Sequence, residues 1–260
     1  MRDPQVTLTN GMVAQVHLAA QYLATASKSF LEHRADDSHT NLGYNTGERR
    51  LETWELDQNG TQLAFSFPDF SLQWLGDITT ALSLDGKSHA EIVDWLLKTA
   101  EHHKLNGTYS YDLHYELPYP VEDHFKFQVS DPKGLDQLAG LRTLAHEVLA
   151  SFLKKSYPNA NIRIWPHHLD TGAFLALKNS DNAIGLGMAI PDNLVNEHYF
   201  YISGYSGNDS VAPTGFSPLT QGEWRNEGFK GAILPASNCT IPRGVAFFQE
   251  ALKAYLTSFE

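Results

Sequence analysis

Arg50-Leu51-Glu52-Thr53-Trp54-Glu55-Leu56 leads through Asp57-Gln58-Asn59-Gly60 into Thr61-Gln62-Leu63-Ala64-Phe65-Ser66-Phe67. Both flanking runs are strand-like, and Asn-Gly between such runs is a strong hairpin signal, because these residues accept the backbone angles that a tight reversal needs. Two antiparallel strands are therefore expected here, with further strands at 71–75 and 78–84. Upstream, Val13, Val16, Ala20, Leu23, Ala26, Phe30 and Leu31 recur at three- and four-residue spacing, which predicts a helix from Met12 to about His33 with one apolar face. Downstream, Ser88 and Glu91 form a capping box, and Ile92, Trp95, Leu96 and Ala100 mark the buried side of a helix ending near Leu105.

The runs 109–116 and 124–129 read as another strand pair, joined by the rigid turn Pro118-Tyr119-Pro120. A third helix is expected over 133–156, with Leu135, Leu138, Leu141, Ala145, Val148, Leu149 and Phe152 on its apolar side. Here the pattern starts again. The helix starts at Met12 and Leu135, and the Pro-Asp turns at Asp69 and Asp192, share a spacing of 123 residues. A strand at 231–234 then precedes a last helix from Pro242 to about Phe259, with Pro in its first turn, where a missing amide does no harm. These features imply an α+β protein of two similar halves, 1–130 and 131–260, with helices packed on antiparallel sheets in one compact unit. The second half carries an insertion of about thirty residues at 201–229. Duplication is one explanation; recurrence of common helix and hairpin patterns is the other.

The formal charge of -11, from 19 Lys+Arg and 30 Asp+Glu, repels nucleic acid and anionic lipid, so neither is an expected partner. No apolar run approaches the length of a membrane span. Cys239 is the single cysteine and cannot form an internal disulfide, and residues 1–9 lack the pattern of a secretory signal; a cytoplasmic protein is expected. Asn-x-Ser/Thr triplets begin at Asn59, Asn106, Asn208 and Asn238, but two of them are Asn-Gly, which is turn chemistry first.

The densest chemistry lies in Arg163-Ile164-Trp165-Pro166-His167-His168-Leu169-Asp170. On a strand, Trp165 and His167 would share one face and His168 and Asp170 the other, so Asp170 could fix the tautomer of the His168 ring. Pro166 places the run at an edge or bulge. The plainer alternative is one packed and one solvated histidine. The polar loop Arg34 to Asn41 offers Asp37 and His39 as ligand-binding groups, and Gly222 to Gly228 offers Trp224 for stacking and Glu227 for hydrogen bonding. That second loop also reads as a surface turn. A divalent metal could draw on His167, His168, His39 and Asp170, although no spacing demands it, and His146-Glu147 lacks the second histidine of a zincin helix because position 150 is Ala150. Gly185-Leu186-Gly187 lacks the third glycine of a dinucleotide fingerprint and is better explained by close backbone packing.

Four blocks carry a resemblance: Asp36-Asp37-Ser38-His39-Thr40-Asn41-Leu42-Gly43, Trp165-Pro166-His167-His168-Leu169-Asp170, the Gly185-x-Gly187 strand followed by Tyr199-Phe200-Tyr201, and Gly222-x-Trp224 through Leu234. In this order they resemble a family of uncharacterised bacterial proteins for which no reaction is known. That family often has histidines on both sides of the last tryptophan; this chain has Glu223 and Arg225 there, a departure from any metal site shared through that loop.

Read together, these residues lead first to binding of a small polar ligand in a pocket lined by His39, Asp37, Trp165, His167, His168, Asp170, Trp224 and Glu227. The second reading is a hydrolase in which His168, oriented by Asp170, acts as base on water, with or without a metal.

Overall fold

The computed structural model describes residues 11–119, 124–178 and 180–259. They form four α-helices and two antiparallel sheets, an α+β fold. The chain divides into unit 1, residues 1–140 with 164–169, and unit 2, residues 141–163 with 170–260. The division falls within the helix Pro132–Ser156.

In unit 1, α1 (Met12–Phe30) precedes strands β1 (Gly43–Asn45), β2 (Arg50–Glu52), β3 (Gln62–Ser66), β4 (Ser71–Leu75) and β5 (Thr80–Ser83), and α2 (His89–His102) follows. The strands neighbour one another in sequence order. Arg50 faces Ser66 across the expected hairpin, Leu56 N–H donates to Thr61 O at 2.7 Å, and Gly60 takes φ +76°. The Asp57 carboxylate stabilises the reversal by accepting from the amides of Asn59 and Thr61, both at 2.9 Å. The capping box at Ser88 is present with both arms, and Trp74, fully buried on β4, donates its indole N–H to Thr99 Oγ1 of α2 at 2.8 Å.

The single apolar face expected of α1 is corrected by the structure. From Gln15 to Ser27 every residue is buried, the polar Gln15, His17, Gln21, Thr25 and Ser27 included. Most of this polar stripe is covered by residues expected as a strand pair. Residues 109–116 form no strand, yet burial alternates along them as on one: Tyr109, Tyr111, Leu113 and Tyr115 turn inward, while Ser110, Asp112, His114 and Glu116 turn out. Period two reports which side of an extended segment faces inward, and that side here lies on a helix instead of a strand edge. Tyr109 OH and Thr25 Oγ1 are 2.8 Å apart, and Tyr115 OH donates to Gln21 Oε1 at 2.5 Å. The stretch 124–129 likewise makes no strand pair with 109–116; Phe127 and Lys126 bond to residues 86–88 ahead of α2. Of the turn between them, Pro120 lies outside the described residues.

Helix α3 (Pro132–Ser156) leads to β6 (Arg163–Trp165), β7 (Asp170–Ala176), β8 (Asn182–Ala189) and β9 (Tyr199–Ser206). Strands β10 (Asp209–Val211) and β11 (Glu223–Arg225) follow, and β12 (Gly231–Pro235) with α4 (Ile241–Ser258) closes the chain. The second sheet runs β11-β12-β9-β8-β7-β6, with β10 pairing β9. Apart from β10 and β11 its order is sequential, as in the first sheet. The core of unit 2 packs Ala145, Val148, Leu149 and Phe152 of α3 and Phe247, Phe248, Ala251 and Tyr255 of α4 against inward residues of the sheet, Ile184, Leu186, Phe200 and Leu234 among them. Gly187 is a glycine for the packing reason: a Cβ there would lie 2.5 Å from Thr171 O and 2.9 Å from Tyr201 OH.

Candidate functional site

Residues 166–169 are a turn between β6 and β7, which corrects the strand alternation expected for this run. The amides of His168 and Leu169 both donate to Trp165 O, at 3.3 and 2.7 Å, and Leu169 takes φ +55°. Pro166 has no N–H to extend a ladder, so the chain reverses and carries His167 and His168 at its tip. His167 is half-buried and His168 exposed, with ring centroids 4.3 Å apart; Trp165 is half-buried at the end of β6.

The loop after α1 is built from its own backbone. Asp37 N–H donates to Arg34 O, while Asp37 O accepts from Thr40 N–H at 3.0 Å and Thr40 Oγ1 at 2.8 Å, holding Asp37 in the left-handed region at φ +55°. Asp is one of the few side chains that takes this conformation readily. Trp54 donates from Nε1 to Ser38 O at 3.0 Å and lies under the Arg34 guanidinium, 5.8 Å from the ring centroid. His39 is buried; Arg34 N–H approaches its Nδ1 at 3.4 Å, so a neutral ring carries its proton on Nε2. Burial first, and the neighbouring His33 second, hold its pKa below the usual imidazole value.

Two sequence-distant histidines meet at Asp37. His33 Nε2 lies 3.6 Å from Oδ1 and His114 Nε2 lies 3.3 Å from Oδ2. The contacts continue by ring: His33 to His39 at 5.1 Å, His114 to Tyr115 at 4.8 Å, Tyr115 to His167 at 5.6 Å, then His168. Unit 1 thus gathers imidazoles from the end of α1, the loop 34–41, the extended segment and the turn 166–169 into one connected set around Asp37 and Tyr115. Of the expected residues, Asp37, His39, His167 and His168 belong to it.

Asp170, Trp224 and Glu227 lie in unit 2. Tyr201 OH donates to Asp170 Oδ2, while Oδ1 is buried with no hydrogen-bond partner. Trp224 donates from its indole to Ser217 O at 2.9 Å and packs edge-on to Phe216 and Tyr255, with centroids 5.0 and 5.6 Å away. Its ring contacts in unit 2 are thus with Phe216 and Tyr255. Glu227 is exposed. Among the described residues no three His, Cys, Asp or Glu side chains are grouped so as to hold a metal ion.

His33, His114, Tyr115 and Gln21 are additions that the sequence reading missed. His33 stands four residues before Asp37, a spacing that allows a pair; nothing local ties His114 to either. Comparison of the chain with protein-family models, with curated proteins and with solved structures finds no match in any of the three.

Proposed function

We propose that the protein binds a small polar ligand at the imidazole-rich face of unit 1, centred on Asp37, His114, His167 and His168, in a cytoplasmic setting and without nucleic acid as partner. The observation that carries this reading is the connected run from Asp37 through His114 and Tyr115 to His167 and His168. Each neutral imidazole offers one donor and one acceptor, so such a face suits ligands with several hydrogen-bonding groups. The net charge of -11 and the single cysteine support the setting and the exclusion of nucleic acid. Binding is favoured over hydrolysis because a His168 base would need an orienting carboxylate, and Asp170 accepts from Tyr201 on Oδ2 and from no donor on Oδ1.

The test is a thermal-shift screen of the full chain against small polar metabolites. A ligand specific for the folded state at about a hundredfold excess over Kd raises stability by about 2.7 kcal/mol. The expected hits perturb the imidazole resonances of His114 and His168 and are lost in His114→Ala. A library without hits, or hits indifferent to that change, would sink the proposal. Esters, phosphoesters and amides belong in the same screen, since turnover that vanishes in His168→Asn would favour the hydrolase instead.

A further inference from the structure

The turn bearing His167 and His168 and the segment bearing His114 are both fastened to α1, and at one side chain. His17 and Gln21 stand one helical turn apart on α1, 1% and 0% exposed. Both reach the carbonyl of Pro166, His17 Nε2 at 2.9 Å and Gln21 Nε2 at 2.9 Å. A carbonyl only accepts, so the His17 proton on that side sits on Nε2 and the amide nitrogen of Gln21 must face the proline. Pro166 lacks an N–H, and its carbonyl, the only polar backbone group it has, receives two donors. The same amide nitrogen also donates to His17 O at 2.8 Å, and the amide oxygen accepts from Tyr115 OH at 2.5 Å.

We infer that Gln21 is the positioning residue of the imidazole-rich face, with one buried amide holding the turn of His167 and His168 through its nitrogen and the segment of His114 and Tyr115 through its oxygen. The inference rests on the reading of that face as the ligand site. Only a primary amide presents a donor and an acceptor on one rigid plane at this reach; a carboxylate would set an acceptor against the Pro166 carbonyl, and a methionine would leave Tyr115 OH without this acceptor and Pro166 O with His17 as its one remaining side-chain donor. Gln21 touches no ligand in this scheme and acts through the segments it holds. Thr25, the next turn of the same stripe, hydrogen-bonds Tyr109 instead and provides a matched buried position that bonds neither Pro166 nor Tyr115.

The experiment is an imidazole-detected NMR titration of the full chain, with the exposed His102 of α2 as internal reference. In Gln21→Met the resonances and titration curves of His114, His167 and His168 are expected to move together, while His102 overlays the unchanged protein. In Thr25→Val, which also removes a buried hydrogen bond, those three curves are expected to stay in place. Tyr115→Phe keeps the ring and removes only the bond to the amide oxygen, so His114 moves and His168 does not; this variant decides the matter if Gln21→Met does not fold. The inference is overturned if Gln21→Met leaves His114 or His168 at its original curve, if Thr25→Val moves them equally, or if Tyr115→Phe leaves His114 unmoved. These readouts need no ligand, so an empty metabolite screen would remove the binding reading and leave the positioning result standing.

Discussion

Burial of His198, with the Arg142 guanidinium as second cause, brings its imidazole down to about 4, against about 6.5 for an exposed ring. As pH falls through about 6.5 the unfolded chain takes a proton here, while the folded chain stays neutral until about 4. The unfolded state therefore binds more protons across this window, and stability falls as the solution is acidified. His39, His89, His103 and His146 are depressed in the same direction, with burial the first cause in each. We expect His198 alone to account for a loss on the order of 3 kcal/mol between neutral pH and about pH 4. Urea unfolding at a series of pH values checks this. His198→Gln should flatten the dependence by about one proton, and a variant curve parallel to the original would refute the assignment.

At the scale of elements, α2 shows how a local signal is converted into stability. Ser88 Oγ accepts from Glu91 N–H at 3.3 Å, and Glu91 Oε2 accepts from Ser88 N–H at 2.9 Å, so two amides without helical partners are satisfied reciprocally. These bonds to Ser88 draw the Glu91 carboxyl down to about 2, so its contribution is present above about pH 4.5 and is lost as pH falls towards 2. Ser88→Ala is expected to cost about 1 kcal/mol, and hydrogen exchange should quicken first in the opening turn of α2. Unchanged exchange there would mean that packing through Trp74 and Thr99 alone fixes the helix start. By contrast α1 has no side-chain cap at Gly11. Its place is fixed by burial and by the polar stripe from Gln15 to Thr25.

For the molecule as a whole, the net charge of -11 sets the long-range field. Fluorescently labelled duplex DNA is expected to show no change in anisotropy on titration even at low ionic strength, where attraction of any basic surface would be strongest. Saturable binding that weakens with salt would reveal a local positive patch and count against the partner class proposed above. No helix among the described residues is long and apolar enough to cross a membrane. Both sheets order their strands sequentially apart from β10 and β11, which follows from hairpin connections: a strand leaving a short turn pairs with the one before it.

The sequence by itself determined those elements whose signals are local, and the antiparallel sense of the first hairpin, but not the state of 109–116, 124–129 or 166–169. Asn59-Gly60, the box of Ser88 and Glu91, and the apolar periods of α1 to α4 act within a few residues, and the chain satisfies them locally. It also placed Asp37, His39, His167 and His168 among the residues of interest, because unusual polar residues crowd beside a proline or within a loop. Tertiary structure decided what those residues meet. Gln15, His17, Gln21 and Thr25 have the spacing of a solvated helix face, and only the approach of Tyr109, Tyr115, Gln128 and Pro166 to that face made them a buried, hydrogen-bonded stripe. His33 and His114 became partners of one carboxylate for the same reason. A period in sequence states which side of a segment turns inward; the identity of the neighbour on that side depends on groups far along the chain, whose desolvation is tolerated only where their hydrogen bonds are replaced.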